Sequence, residues 1–107
     1  MRAELLRVLL ATLEAGEAVA VATVVGGPGL GEQLVVWKAG HSRGDLGSPR
    51  LNQRAALYGE QLLLRPRPVR KSFEIQGERI EVFFDVPSPA VPPGEPPDGP
   101  VGGPVRA

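Results

Sequence analysis

The stretch AVAVATVV, at residues 18–25, determines the fold more than any other part of the sequence. It contains no alternation of apolar and polar side chains, and such a continuous apolar run is typical of a β-strand that is buried on both faces. GGPGLG at 26–31 must form a turn, because Gly and Pro interrupt strand pairing. LVVW at 34–37 then predicts a second strand, antiparallel to the first across this short connection.

Two helices are predicted from apolar spacing and from signals at their ends. Residues 3–15 form one amphipathic helix, and Gly16 suits the left-handed position that ends it. Ser-Pro at 48–49 favours the start of a second helix over 51–64, and the prolines of RPRP at 65–68 prevent its continuation. The apolar stripe of the first helix consists of Leu5, Leu6, Leu9, Leu10 and Leu13.

The last structured part of the sequence is a predicted hairpin. Two alternating segments, 69–75 and 79–86, predict strands that are joined by a short loop at 76–78. The order α-β-β-α-β-β predicts a small α+β domain at 1–86, with one mostly antiparallel or mixed sheet and two helices packed against it. Residues 87–107 contain eight of the twelve prolines and predict a flexible Pro/Gly-rich tail.

Composition argues against several classes of function. Twelve basic and twelve acidic residues give a formal net charge of zero, so long-range attraction to nucleic acid or to an anionic membrane is not expected. The sequence has no cysteine, which excludes disulfides, a thiol nucleophile and thiolate metal ligands. The apolar run near the N-terminus is interrupted by charges, so neither a signal peptide nor a membrane span is predicted, and cytoplasmic is the default location.

GDLGSPRLN, at 44–52, is the best candidate for a binding site. The first N–H groups of a helix are unpaired and favour an anion, although the carboxylate of Asp45 works against this. The alternative is a capped helix after a tight turn, with the arginine solvated. The predicted anion or cofactor contacts are Gly44, Gly47, Ser48 and Arg50.

Three other features are more simply explained by structural roles. His41 is the only histidine and has no patterned metal ligands near it. RPRPVRK at 65–71 has four basic residues without aromatic residues between them, and it follows a helix C-terminus, where cations suit the dipole. GGPGLG lacks the Lys-Ser/Thr ending of a phosphate loop. We therefore predict no catalytic residue and no metal site.

Four segments, in order, resemble the N-terminal domain of the XdhC/CoxI family. LLATLEAGEAVAVATVV (9–25) is similar to a helix that leads into an EAG-x-x-VALATVV strand, and GEQLVVW (31–37) to a GA-x-MLV strand. GDLGSPRLN (44–52) resembles a GSLGG-x-L-E or GSLGDP-x-LD loop and helix start. ERIEVFFDVPSP (78–89) resembles the closing RVEVFVE strand with its proline-rich exit.

This resemblance implies an accessory protein for molybdenum hydroxylases of the xanthine and carbon monoxide dehydrogenase type, which assists cofactor sulfuration or insertion. The sequence departs from the family in three ways. Its GSSPR segment is shortened to GGPG, Arg50 stands where many members have a cysteine, and the usual Rossmann-like C-terminal domain is absent. A cysteine at a helix start could act as a thiolate, whereas arginine can only meet an anion.

The expected function is therefore that of a non-catalytic, chaperone-like accessory protein that contacts molybdenum cofactor only transiently. The expected partners are a molybdenum hydroxylase subunit or a separate Rossmann-type accessory chain, and a homodimer is a further expectation. Nucleic acid and membrane are not expected partners. The alternative is a degenerate family member that acts as a structural or oligomerising subunit with no ligand.

Overall fold

The computed structural model describes residues 2–87, which form two α-helices and one five-stranded antiparallel sheet. The sheet order is β3-β2-β1-β5-β4. The predicted α+β class, with one antiparallel sheet and two helices, is confirmed. The tail predicted for 87–107 lies, from residue 88 onward, outside the described residues. In chain order the elements are α1 (Ala3–Glu14), β1 (Ala20–Gly26), β2 (Gln33–Val36), a 3-10 turn (Lys38–Gly40), β3 (Ser42–Gly44), α2 (Pro49–Leu62), β4 (Val69–Ile75) and β5 (Glu78–Asp85).

Strand β1 lies at the centre of the sheet and pairs with β2 on one side and with β5 on the other. Its side chains alternate between two covered faces, so that Ala22 faces the larger hydrophobic core while its neighbour Val21 lies on the opposite face, across from Val35. The prediction that AVAVATVV is buried on both faces is therefore confirmed.

Helix α2 covers one face of the sheet and forms the larger core. Phe84 is fully buried there and makes an edge-on contact with Tyr58, with ring centroids 5.0 Å apart. Gly59 allows the helix to approach the sheet, because a Cβ at this position would already touch the side chain of Val36 at 3.4 Å. The core members from α2 and the preceding loop are Leu46, Leu51, Ala55, Ala56 and Leu62.

Helix α1 packs on the other face through a smaller cluster. Leu5, Val19 and Val35 are its buried members, and Leu9, Leu13 and Trp37 pack around them. The indole Nε1 of Trp37 donates a 3.0 Å hydrogen bond to Oγ1 of Thr12, which fixes α1 against the end of β2. Leu6 and Leu10 of the predicted apolar stripe are 42% and 49% exposed. The stripe is therefore only partly used in the described structure.

The polar segment KAGHSRGD, at 38–45, contains a strand that the predicted order α-β-β-α-β-β does not include. A 3-10 turn is followed by the short strand β3, in which Ser42 pairs with Val36 and Gly44 with Leu34. All three residues of β3 are exposed. The strand is held by backbone pairing alone, so the sequence has no apolar alternation that could have revealed it.

The hairpin of β4 and β5 matches the prediction closely. Ile75 pairs with Glu78, so the loop contains two residues rather than the three that were expected. Gln76 and Gly77 have φ values of 53° and 81°, which fits the two positive φ angles of a type I′ turn.

Candidate functional site

An open groove of about 490 Å³ lies between the first turns of α1 and the loop that precedes α2. Its charged lining contains both signs, with Arg2 and Arg43 facing Glu4, Glu32 and Asp45. Arg2 and Glu32 form an exposed ion pair at 3.8 Å. The groove therefore offers no uniform positive potential to an anionic ligand. Its remaining lining residues are Leu5, Val8, Gly31, Gln33, Gly44 and Gly47.

The carboxylate of Asp45 accepts two hydrogen bonds within the GDLGSPRLN loop. Its Oδ1 accepts hydrogen bonds from the backbone N–H of Gly47 at 2.8 Å and from Nδ2 of Asn52 at 3.0 Å. The amide of Asn52 also accepts the backbone N–H of Leu46 at 2.7 Å. The hydrogen bond from Asn52, followed by that from Gly47 and the charge of Arg2, lowers the pKa of Asp45 below its usual value. Two of the loop's donors, the N–H of Gly47 and Nδ2 of Asn52, thus bind an anion that belongs to the protein.

The helix start itself is capped as the sequence predicts. Oγ of Ser48 accepts the backbone N–H of Leu51 at 3.3 Å, and Pro49 occupies the first helical position. Arg50 is exposed and forms no ion pair within residues 2–87. Ser48 and Arg50 lie outside the lining of the groove, whereas Gly44 and Gly47 line it. The four predicted contacts are therefore close in sequence but do not converge on one cavity.

The two glycines of the loop have the same φ of +109° but different surroundings. A Cβ on Gly44 would lie 2.5 Å from the carbonyl oxygen of Gln33. The pairing of β3 with β2 therefore requires glycine at this position. A Cβ on Gly47 would have no atom within 4 Å. Gly44 thus has a structural explanation, and Gly47 leaves open space beside the backbone.

A second open groove, of about 550 Å³, contains His41 and Trp37. Both His41 and Lys38 are exposed, and the groove is completed by Gly16, Glu17 and Ala18. Within residues 2–87 no cluster of three or more His, Cys, Asp or Glu residues could hold a metal ion.

The basic segment 65–71 does not form one patch. Arg70 donates to Oε1 of Glu81 at 2.7 Å, and this ion pair lowers the pKa of Glu81. Lys71, the next residue, places its ammonium 4.8 Å from the ring of Tyr58 on the opposite face of the sheet. The two charges therefore lie on opposite faces of the sheet.

Asp45 was predicted only to disfavour an anion at the helix start, and its pairing with Asn52 was not predicted. The available signal was the spacing Asp45-Leu46-Gly47, because an aspartate side chain often accepts the N–H two residues later. The contact with Asn52 depends on how the loop folds back on the first turn of α2, and local spacing does not give it.

No protein-family model and no curated protein matches this chain. No helix of the described residues is long and apolar enough to cross a membrane.

Proposed function

We propose that this chain is a non-catalytic accessory protein for a molybdenum hydroxylase of the xanthine or carbon monoxide dehydrogenase type. It acts by binding another protein chain during sulfuration or insertion of the molybdenum cofactor. The partner is a hydroxylase subunit or a separate Rossmann-type accessory chain, and the proposed location is the cytoplasm.

The proposal rests on the resemblance of four sequence segments to the XdhC/CoxI family, and one structural observation supports it. Segments 9–25, 31–37 and 78–89 contribute the neighbouring strands β1, β2 and β5. Segment 44–52 then joins the outer edge of β2 to α2. Segments that match a family in order are expected to form one contiguous unit if the match reflects a common fold.

The chemistry of the loop favours docking over catalysis. Asp45 and Ser48 already accept the N–H groups of Gly47 and Leu51. The guanidinium of Arg50 remains exposed at the helix start, where it can make a charge-assisted contact with a phosphate or carboxylate. Molybdenum cofactor, which carries a phosphate, is thus a transient contact in this proposal rather than a tightly held group.

The test is complex formation between the full chain and the purified apo-form of the hydroxylase subunit, measured by light scattering after gel filtration and by titration. Wild type is expected to form a complex. Arg50→Ala should weaken it about tenfold, the cost of one charge-assisted contact. Arg7→Ala is the matched control, because Arg7 is also an exposed helical arginine and forms no ion pair within residues 2–87.

Absence of a complex with both the hydroxylase subunit and a Rossmann-type accessory chain would refute the proposed function. Equal affinities of the two arginine variants would remove Arg50 from the contact and leave the partner assignment standing. Competition by inorganic phosphate, lost in Arg50→Ala and retained in Arg7→Ala, is the expected sign of an anion contact at this position.

A second candidate function is that of a structural or oligomerising subunit with no ligand. The observation that favours it is β4, a seven-residue strand that lies at the edge of the sheet formed by residues 2–87. A wild-type chain that forms a homodimer but binds neither hydroxylase nor phosphate would support this candidate.

A further inference from the structure

Within residues 2–87, the outer edge of β4 carries a regular set of backbone groups that do not pair with another strand. Ile75 and Glu78 flank the two-residue turn and form a hydrogen-bonded pair. Every second residue of β4, counted from Ile75 toward the N-terminal end of the strand, therefore directs its N–H and C=O groups toward β5. Arg70, Ser72 and Glu74 must therefore direct theirs away from the sheet. The carbonyl of Glu74 does accept a contact from Arg54, which lies outside the β4–β5 ladder.

The sequence of this edge is complementary to itself in the antiparallel direction. If two copies of β4 meet about a two-fold axis at Ser72, each Arg70 lies opposite Glu74 of the second copy. Residues at such positions have Cβ atoms roughly 5 Å apart, close enough for an ion pair. The same register joins the outward N–H and C=O groups of all three residues in each strand, which gives six backbone hydrogen bonds between the copies.

Other registers are poorer. An axis at Lys71 would place two lysines opposite each other, and one at Phe73 would leave Arg70 without Glu74 opposite it. With the axis at Lys71, Pro68 would lie opposite Glu74 of the second copy. Pro68 has no N–H, so this register also loses a backbone hydrogen bond at the N-terminal end of β4. Only the axis at Ser72 satisfies charge and backbone pairing together.

We propose that two copies of this chain dimerise by antiparallel pairing of their β4 strands about Ser72, which forms one continuous ten-stranded sheet. This inference does not depend on the proposed accessory function.

On the face that carries α2, the same register places no like charges opposite each other. Val69 lies opposite Ile75 of the second copy, and Lys71 lies opposite Phe73, whose ring already lies 5.9 Å from the Lys71 ammonium within one chain. The contact from Arg54 to the carbonyl of Glu74 must be displaced. It is exposed and 3.4 Å long, so its loss costs little.

The charges on β4 determine which strand can pair with it, and the two-fold symmetry of the contact limits the assembly to two chains. A charged edge normally prevents strand addition, because most partner sequences would place like charges opposite each other. Here the one favourable partner is a second β4 in the antiparallel direction. A two-fold contact uses the same edge of both chains and therefore closes after one pairing.

Cysteine cross-linking tests the register directly, because the chain has no cysteine of its own. In Ser72→Cys the two new thiols would face each other across the axis, with Cα atoms about 5.5 Å apart, within the range of a disulfide. Ser42→Cys is the control, because Ser42 is an exposed residue on β3, at the opposite edge of the sheet. Mild oxidation should convert Ser72→Cys to a covalent dimer and leave Ser42→Cys largely monomeric. Equal cross-linking of both variants would overturn the register.

Charge reversal supplies a second test that does not depend on thiols. Glu74→Arg and Arg70→Glu each place two like-charge pairs in the interface and should raise the dimer dissociation constant roughly tenfold or more. Mixed together, the two variants restore opposite charges at both pairs and should form a heterodimer. Circular dichroism of each variant alone verifies that the monomer is folded.

Sedimentation velocity over a concentration series measures all of these states. A wild-type chain that stays monomeric at the highest concentration would overturn the proposal. Failure of the two folded variants to associate on mixing would overturn it as well. A dimer that cross-links at Ser72 and is rebuilt by the mixed variants supports it.

Discussion

Asp45 supplies, from within the chain, the negative charge that the start of α2 favours. A carboxylate near a helix N-terminus interacts well with the unpaired N–H groups, and Asp45 also accepts two directed hydrogen bonds. A phosphate group that approaches this loop therefore finds the N–H of Gly47 and the amide of Asn52 already donated to Asp45. This single residue therefore argues against capture of an anion by the backbone of the loop.

The charge of Asp45 should contribute to stability at neutral pH. Its folded pKa is lowered from the usual 3.8, chiefly by the hydrogen bond from Asn52, so its contribution is fully present above that pH and is lost as the pH falls through the folded value. Asp45→Asn keeps an acceptor but removes the charge. We expect it to reduce the free energy of unfolding by about 1 kcal/mol at pH 7, since both hydrogen bonds are exposed.

The measurement is urea unfolding of both proteins at pH 7 and at a pH below the usual carboxyl value. The difference between wild type and Asp45→Asn should shrink in acid. Asn52→Ala, which removes the principal partner, should show the same dependence. A difference that stays constant across this range would mean that the carboxylate charge contributes nothing.

At the level of elements, the helices and strands that have apolar periodicity or clear end signals were predicted from the sequence. Both helices, β1, β2, β4 and β5 were predicted within two residues of their observed ends. Strand β3 was missed because its three residues are exposed and only their backbone groups pair with β2. The close approach of Gly44 to β2 could not be predicted either, because it depends on strand register rather than on local sequence.

The two loop glycines provide a matched test of that register. Gly44→Ala and Gly47→Ala carry the same penalty for a positive φ, but only the first places a methyl group 2.5 Å from a backbone oxygen. We expect losses of roughly 2–3 kcal/mol for Gly44→Ala and about 1 kcal/mol for Gly47→Ala, measured by urea unfolding. Equal losses would show that β3 can move away from β2 without cost.

At the scale of the whole molecule, burial is divided unequally between the two faces of the sheet. The cluster under α2 contains fifteen buried residues, whereas the cluster under α1 contains three. The sequence predicted two helices against one sheet, but it did not give this asymmetry. Five leucines in α1 suggested a full apolar interface, and two of them are about half exposed.

This asymmetry predicts that α1 opens more readily than the rest of the domain. Local opening is easiest where few apolar contacts are lost, and the attachment of α1 depends on the small cluster at Leu5 and on the Trp37–Thr12 hydrogen bond. Native-state hydrogen exchange should show protection factors in α1 about tenfold or more below those of β1 and α2. Trp37→Phe keeps the aromatic ring but removes the donor, so it should lower protection in α1 further and leave α2 unchanged. Equal protection of both helices would mean instead that α1 opens only when the whole sheet unfolds.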